Sequence, residues 1–381
     1  MTSNLKKLIK LLIYCFINLF ISPSKEIKQK SLLLIRLDAI GDYLLFRNFI
    51  ELLKKNQKYK NYEITLLGNS VWKNLSKELD YEYVDEFIWL DRNKFNKDLI
   101  YRYKKLKEIT FYGYEIVINP AYSREFFYSD TIVKLVTANE KIGSTSDVSN
   151  INAWQKNISN KYYSKLISAK KEPMFEFNRN KEFFEKLIEE NLLILKPKIN
   201  LKEKKLSFNL PQNYAILFVG ASKSYKKWDI QKFAMIAKHL KDNYGYKIVL
   251  CGGAKDINES KSFKHYFNDE YLDLVEKTSL VELLYVINNG NIIISNDTLA
   301  PHIAVALDMK NVFIIFNGFN LGRFVPYPKN LSENYHVIYH PEIEKNLDNF
   351  KKLCNKYRFG SELNINTISV DNVKEKLDMA L

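Results

Sequence analysis

Cysteine is the first residue type of which this chain has little. There are three, Cys15, Cys251 and Cys354, widely separated, with no Cys-x-x-Cys pair and no Cys/His cluster. This usage supports neither a zinc site nor a disulfide framework. A reducing, intracellular location therefore fits best.

The signatures of two common protein classes are also missing. No GxGxxG follows the first strand predicted in either half of the chain, which tells against an NAD-linked oxidoreductase. No zinc-finger, RNP-like or homeodomain-like pattern accompanies the basic charge, so no nucleic-acid partner is expected. Only the predicted sheets favour an NAD-linked oxidoreductase, and only the net charge favours a nucleic-acid-binding protein.

What is present suffices for two globular domains. The chain has 381 residues, of which 46% are hydrophobic and 27% charged. Its net charge of +14 indicates either solvated lysine faces or an anionic partner, such as a membrane surface, a phosphorylated glycan or nucleic acid. Residues 1–30 hold six lysines against one glutamate, so positive charge is concentrated at the N-terminus.

The N-terminal segment predicts an amphipathic helix. Leu8–Ile21 is nearly continuous apolar sequence, but it is shorter than the about 20 residues of a membrane span, and it lacks the small-residue cleavage site of a signal peptide. On a helix, one narrow stripe would be polar, formed by Lys7, Lys10, Tyr14 and Asn18. We expect residues 1–24 to lie on the membrane surface with the lysines toward anionic headgroups. The alternative is a helix packed on the protein's own core.

From about residue 30 onward, short apolar runs alternate with amphipathic stretches. The runs predicted as strands are Leu32–Arg36, Glu63–Leu67, Phe87–Leu90, Glu115–Asn119, Ala215–Val219, Lys247–Cys251, Asn291–Ser295 and Asn311–Phe316. The stretches predicted as helices are Tyr43–Lys55, Ser129–Thr137, Ile230–Asp242, Leu280–Asn288 and Pro301–Leu307. Such alternation predicts an α/β fold with parallel, doubly wound sheets.

The polar stretch Lys196–Asn209 is the best candidate for a domain boundary. We therefore predict two Rossmann-like domains, over residues 30–195 and 211–381, joined by a linker at 196–210 and facing each other across a cleft. Ligands of such sheets bind beyond the carboxyl ends of the strands, so the loops after the strands are where chemistry is expected.

The first candidate site follows the first strand. Gly41 permits a tight turn, and Asp42 begins a helix. Asp42 is either a helix N-cap, which stabilises by about 1 kcal/mol, or a general base that takes a proton from an attacking hydroxyl. Asp38 is a second carboxylate in the same loop.

The second and third candidate sites lie in the other half of the chain. Gly220, Ala221 and Ser222 are small enough for backbone N–H groups to approach an anion, and Lys226 adds an ammonium group. In the segment 295–307, a strand ends and a helix begins, which directs N–H groups and partial positive charge at a diphosphate. His302 lies in that first turn as a further donor, or else as an ordinary core or surface histidine.

Together, these segments resemble the ADP-heptose:lipopolysaccharide heptosyltransferases, glycosyltransferase family nine, whose fold is GT-B. The resemblance rests on several short motifs in the right order and spacing. They are IRLDAIGD, IGSTSD, VGASKSYKKW, LCGGAKD, EKTSL, NDTLAPHIAVAL and ISVDNV.

The resemblance implies roles for individual residues. Asp42 matches the catalytic base. The residues implied to hold the donor are Ser222 and Lys226 at the diphosphate, Asp256 at the ribose, Thr278 near the base, and Asp297, Thr298, Leu299 and His302 around the phosphates and sugar. Leu299 stands where the family usually has glycine. Arg36 and Arg323 are candidate contacts to the acceptor or to phosphate, and a solvated loop arginine is the alternative for Arg323.

The implied activity is inverting, metal-independent transfer of heptose or a related sugar from a nucleotide diphosphate, ADP-heptose, onto lipopolysaccharide, lipooligosaccharide or another surface glycan. The first domain would bind the acceptor and the second the donor. No cofactor is implied, and the chain contains no Asp-x-Asp pair for a metal-bridged diphosphate. The implied partners are the donor, a glycolipid or oligosaccharide acceptor, and the inner-membrane surface, with the protein peripheral on its cytoplasmic face. Alternatives are transfer of a different sugar in capsule or O-chain synthesis, and an inactive family member that acts as an assembly partner.

Overall fold

A computed structural model describes residues 3–194 and 196–381, with side chains from residue 9 onward within the first helix. The first two residues of the predicted N-terminal helix, the side chain of Lys7, and Leu195 at the predicted end of the first domain lie outside the described residues. The chain forms two compact units. One comprises the residues up to Lys171 together with Asn178–Leu193, and the other comprises Glu172–Phe177 together with Ile194–Leu381.

The unit boundaries differ from the predicted ones in two places. Glu172–Phe177, which we assigned to the first domain, belongs to the second unit. The predicted linker also packs on the second unit, because Ile199 is buried and its N–H donates to the carbonyl of Ala306 at 2.8 Å. The hydroxyl of Tyr285 donates to the carbonyl of Lys202 at 2.8 Å. A polar composition thus concealed a segment that is held by backbone hydrogen bonds.

Twelve strands make up the two sheets. They are β1 Ile27–Arg36, β2 Glu63–Asn69, β3 Glu86–Leu90, β4 Gly113–Asn119, β5 Ala138–Ser144, β6 Lys165–Ile167, β7 Tyr214–Phe218, β8 Lys247–Cys251, β9 Tyr271–Asp273, β10 Ile292–Asn296, β11 Val312–Phe316 and β12 Tyr335–Tyr339.

The helices alternate with the strands. They are α1 Ser3–Leu19, α2 Ile40–Leu44, α3 Asn48–Lys55, α4 Lys73–Leu79, α5 Arg92–Lys97, α6 Leu99–Ile109, α7 Thr131–Leu135, α8 Ala153–Asn160, α9 Glu176–Ile188, α10 Ile230–Tyr244, α11 Ile257–Tyr266, α12 Leu280–Asn288, α13 Leu299–Ala306, α14 Pro341–Glu344, α15 Phe350–Tyr357 and α16 Val370–Asp378. Among the described residues, none of these helices combines the length and the hydropathy that a bilayer-spanning segment needs.

Each unit contains one parallel, six-stranded sheet. The strand order is β3-β2-β1-β4-β5-β6 in the first unit and β12-β11-β10-β7-β8-β9 in the second. Both are doubly wound, with the order reversing between β1 and β4 and between β7 and β10. The predicted α/β class with doubly wound sheets is confirmed.

Burial explains why the apolar runs predicted strands. All four residues of Leu32–Ile35 are completely buried, so both faces of β1 are covered. The same holds for Ile292–Ile294 in β10, which joins Leu217, Phe233 and Leu250 in the core of the second unit.

One predicted helix is interrupted. Instead of a single helix over Tyr43–Lys55, the chain forms α2 and α3, separated by Leu45–Arg47. Helix α2 is short and carries Asp42, while α3 buries Phe49, Ile50 and Leu53. The periodicity of the apolar residues continues across the break, which is why the sequence did not reveal it.

Candidate functional site

The predicted site residues follow strands that flank the two switch points. Asp42 follows β1, while Ser222 and Lys226 follow β7 and the Asp297–His302 segment follows β10. Ligands of doubly wound sheets bind at this place, because the connections on either side leave the sheet in opposite directions and open a crevice.

Asp42 lies in the first turn of α2 and is partly exposed. The N-cap of that helix is Ala39, with no side-chain capping bond. The alternative that Asp42 is the N-cap is therefore wrong.

Three side chains hold the loop that leads into α2. Asn69 Nδ2 donates to the carbonyls of Leu37 and Asp38 at 3.2 and 3.1 Å. Trp72 Nε1 donates to the Asp38 carbonyl at 3.1 Å, and Arg92 Nη1 to the Leu37 carbonyl at 2.8 Å. The backbone before Asp42 is thus fixed by neighbouring strands and helices, as a catalytic group requires.

A buried network anchors α2 from behind. The Tyr43 hydroxyl donates to Asp80 Oδ2 at 2.5 Å, and Arg47 Nη2 lies 2.9 Å from Asp80 Oδ1. The Tyr43 ring also stacks on Trp72 at 4.5 Å. Burial raises the pKa of Tyr43 well above its usual value. Sequence reasoning missed Asp80 because it lies 37 residues after Tyr43 and no local pattern links the two.

Arg36 is turned inward. Its guanidinium is buried, with Nε 2.8 Å from Asp38 Oδ2 and Nη1 donating to Asn180 Oδ1 at 3.1 Å. The predicted contact of Arg36 with acceptor or phosphate does not match this placement. Strand β1 ends at Arg36, and the ion pair with Asp38 neutralises the Arg36 guanidinium inside the unit.

The centre of the second unit's site is an ion pair. Lys226 Nζ lies 2.5 Å from Asp297 Oδ2, and each residue is only 8% exposed. The ammonium also faces the Phe319 ring at 4.4 Å. The loops after β7, β10 and β11 therefore meet at Lys226, and a buried pair of this kind is held only by good geometry.

Asn296 ties two of these loops together. Its side chain accepts a hydrogen bond from the Trp228 N–H at 3.0 Å and donates to the Val219 carbonyl at 2.8 Å. In the sequence, Asn296 is only part of the junction between a strand and a helix. The signal that could have revealed this bridging role is an asparagine that ends an apolar strand at a switch point.

Helix α13 begins beside the ion pair. Thr298 occupies the N-cap position without a side-chain capping bond, and Pro301 lies in the first turn, as predicted. Proline has no N–H to leave unsatisfied there. The first turn therefore directs uncapped N–H groups and partial positive charge toward the switch point.

His302 is a buried, neutral imidazole. Its Nδ1 lies 2.8 Å from the Tyr327 hydroxyl, and burial lowers its pKa to about 4. At neutral pH it can donate or accept a hydrogen bond but adds no charge. Tyr327 was missed because it lies 25 residues later, beyond any local motif.

The buried His302 predicts that stability depends on pH. Its folded-state pKa of about 4 lies below the ordinary value of 6.5, so the unfolded chain binds the proton first, and stability falls as the pH is lowered from 6.5 to 4. This histidine alone would contribute a loss of about 3 kcal/mol. Urea unfolding at pH 7 and pH 4 should show that His302→Gln loses less stability on acidification than the native chain. Replacing the exposed His265 by Gln is the control, and equal acid sensitivity of the native chain and His302→Gln would contradict the assignment.

Asp256 has internal partners. Its Oδ2 accepts from the Gly253 N–H at 2.8 Å, and Lys227 Nζ lies 2.7 Å from Oδ1. A Cβ at Gly220 would collide with this carboxylate, so Gly220 allows the loop after β7 to approach it closely. The glycine predicted to admit an anion therefore also admits Asp256.

The remaining predicted residues differ in exposure. Ser222 is exposed, and Thr278 and Leu299 are partly exposed. Arg323 Nε lies 3.0 Å from the buried Glu176 Oε2, so this arginine is an ion-pair partner rather than a solvated loop residue. Among the described residues, no three His, Cys, Asp or Glu side chains converge as metal ligands would.

Comparison with known proteins gives the family. Residues 102–354 match the family model of glycosyltransferase family 9 (heptosyltransferase). No individually curated protein sequence matches the chain significantly.

Several solved structures are similar in fold. A family 9 glycosyltransferase from Veillonella parvula is 17% identical, with a TM-score of 0.66, and the match covers 94% of this chain and 99% of that one. ADP-heptose LPS heptosyltransferase II of E. coli is 17% identical, with a TM-score of 0.63 and coverages of 92% and 98%. E. coli heptosyltransferase WaaC with ADP is 17% identical, with a TM-score of 0.65 and coverages of 92% and 100%. These likenesses confirm the GT-B-like α/β fold. Because the family model spans well over half of the chain, the chain belongs to glycosyltransferase family 9, the heptosyltransferases.

Proposed function

We propose that this enzyme transfers heptose or a related sugar from a nucleoside diphosphate, with inversion, to a hydroxyl of lipopolysaccharide or a similar surface glycan. The observation that carries the proposal is the Lys226–Asp297 pair at the switch point of the second sheet, 2.5 Å apart and next to the start of α13. A cation and a helix N-terminus at one place suit a diphosphate.

The strand order suggests how the donor lies. The phosphates would sit at the switch point, against Lys226, Ser222 and Thr298. The nucleoside would extend over the loops after β8 and β9, which carry Asp256 and Thr278. The sugar would extend the other way, toward the loops after β10 and β11.

The leaving group would be stabilised by fixed charges and dipoles. As the glycosidic bond breaks, negative charge grows on the diphosphate, and Lys226 and the first turn of α13 would oppose it. His302, neutral because it is buried, would add a hydrogen bond without charge. Such preorganised electrostatics commonly contribute several kcal/mol, and in this proposal they take the place of a metal ion.

Asp42 would act as the general base. It would take the proton of the acceptor hydroxyl while the oxygen attacks the anomeric carbon from the side opposite the diphosphate, which inverts the configuration. The support is its place in the first turn of α2, on a loop fixed by Asn69, Trp72 and Arg92.

The names of two similar structures point to the substrates. One is an ADP-heptose LPS heptosyltransferase, and the other, WaaC, is a heptosyltransferase solved with ADP. We propose ADP-heptose as the donor and a glycolipid as the acceptor, with the protein peripheral on the cytoplasmic face of the inner membrane.

A second candidate is transfer of a different sugar. Leu299 stands where the family usually has glycine, and it is partly exposed at the start of α13. Phe319 follows β11, on the side where the sugar would lie, and its ring is 4.4 Å from Lys226 Nζ and 5.4 Å from the Tyr225 ring. Both features would change the shape of the sugar pocket.

Thermal-shift measurements on the full chain test the donor. We expect ADP-heptose to raise the melting temperature more than ADP does, because a bound ligand stabilises the folded state by mass action. A larger shift with another nucleotide sugar would select the second candidate. NMR of the product should show an inverted anomeric centre, and activity that disappears in chelator and returns with magnesium would overturn the metal-free mechanism.

A further inference from the structure

Helix α1 turns its apolar side away from the protein. Leu12, Phe16, Leu19 and Phe20 are strongly exposed, with Leu19 reaching 80%. An ordinary surface helix buries this side against its own core. In α1 the usual arrangement is reversed.

The polar stripe of α1 is fastened to the first unit. Tyr14 is 4% exposed, and its hydroxyl donates to the Asn96 carbonyl at 2.8 Å. The guanidinium of Arg102, on α6, lies 3.6 Å from the centre of the Tyr14 ring, and Lys10 Nζ donates to the Asn96 side chain. The expectation that the lysines of this stripe face lipid headgroups is therefore wrong for Lys10, because its amine is drawn to the protein.

A second exposed apolar element lies next to the end of α1. Phe111 and Tyr112, between α6 and β4, are 65% and 52% exposed. The Ser24 N–H donates to the Thr110 carbonyl at 3.0 Å, and the Gly113 N–H donates to the Glu26 carbonyl at 3.2 Å. These two bonds place the aromatic tip beside the chain that leaves α1.

Exposed lysines outnumber exposed carboxylates around these elements. Lys25, Lys104 and Lys107 are exposed there, against Glu26 and Glu108. Two copies of such a surface would repel each other, whereas an anionic surface would attract it.

We propose that the outward side of α1 and the Phe111–Tyr112 tip together form a bilayer-insertion surface, and that its partner is an anionic lipid membrane. The apolar side chains enter the boundary between headgroups and acyl chains, while the flanking lysines meet the headgroups. Because Tyr14 and Arg102 hold α1 on the first unit, insertion fixes the orientation of that unit on the membrane. This surface would account for the peripheral location proposed above. The inference rests on the proposed function only in that the acceptor is a glycolipid.

Vesicle sedimentation with the full chain tests the proposal. The native chain should bind vesicles of phosphatidylethanolamine and phosphatidylglycerol far better than vesicles of phosphatidylcholine alone. The triple variant Leu12→Ser, Phe16→Ser and Leu19→Ser should lose about a thousandfold in binding, since each exposed apolar side chain contributes about a tenfold change. Phe111→Ser alone should lose about tenfold.

A matched control removes exposed apolar side chains from other parts of the chain. The triple variant Val71→Ser, Met235→Ser and Leu193→Ser does so, and it should bind vesicles like the native chain. Equal loss in both triple variants, or no loss in the α1 variant, would overturn the proposal. The proposal would also be overturned if the native chain does not bind vesicles and instead dimerises through α1.

The donor thermal shift keeps this test separate from the proposed activity. The α1 variant should keep the shift caused by ADP, which shows that it is folded. A native chain that binds anionic vesicles but neither ADP nor nucleotide sugars would contradict the proposed function and leave the insertion surface standing.

Discussion

Replacing Asp42 by Asn should abolish sugar transfer while donor binding remains. The amide cannot accept the proton of the acceptor hydroxyl, and general-base catalysis contributes about 10²–10⁴-fold, so we expect turnover to fall about a thousandfold. Asp42 is in the first turn of α2 and is not its N-cap, so the helix should persist. Transfer is measured with radiolabelled donor, and donor binding by thermal shift.

Asp38→Asn is the matched comparison in the same loop. Asp38 lies 2.8 Å from Arg36 Nε, and Arg36 is buried. This variant should lose stability, because it removes the carboxylate next to a buried guanidinium, yet it should retain transfer. If Asp38→Asn abolishes transfer and Asp42→Asn does not, the two roles are interchanged and the base is Asp38.

The fold was largely predictable because its strands are buried on both faces. Lys247–Cys251 and Leu280–Asn288 were predicted with their observed ends, since apolar runs mark them locally. The missed strands are β6 and β9, with three residues each, the edge strand β12, and the seven-residue strand β5. Strands β6 and β9 are too short to show a distinct pattern, and β5 carries few apolar residues.

The site was predictable where a motif is local, and less so where it depends on distant partners. The segment from Asn296 to His302 showed a strand end and a helix start within seven letters. The network around Asp80 and the bond between His302 and Tyr327 join residues far apart in sequence. No periodicity or spacing in one sequence specifies such pairs.

Helix α1 shows a different limit. The sequence correctly indicated two faces, one polar and one apolar. It could not indicate which face meets the protein, because hydropathy alone assigns the polar side to water. The ring of Tyr14, stacked by the Arg102 guanidinium at 3.6 Å, gives the polar side a partner inside the protein.

Lys226→Met should weaken donor binding about a hundredfold, which is about 2.7 kcal/mol. Lys226 lies at the switch point where the diphosphate is proposed, and methionine keeps the length of the side chain without its charge. The variant should also lose about 3–5 kcal/mol of stability, because Asp297, 8% exposed, would remain without its cation. ADP binding is measured by calorimetry, and stability by urea unfolding.

The double variant Lys226→Met and Asp297→Asn separates the two effects. With no charge left unpaired, most of the stability should return, while ADP binding should stay weak. Lys238→Met, which removes an exposed Lys–Asp pair 3.0 Å apart on α10, should change stability by less than about 1 kcal/mol and leave ADP binding unchanged. Normal ADP affinity in the double variant would show that Lys226 serves only to neutralise Asp297, and the diphosphate would then have to be held elsewhere.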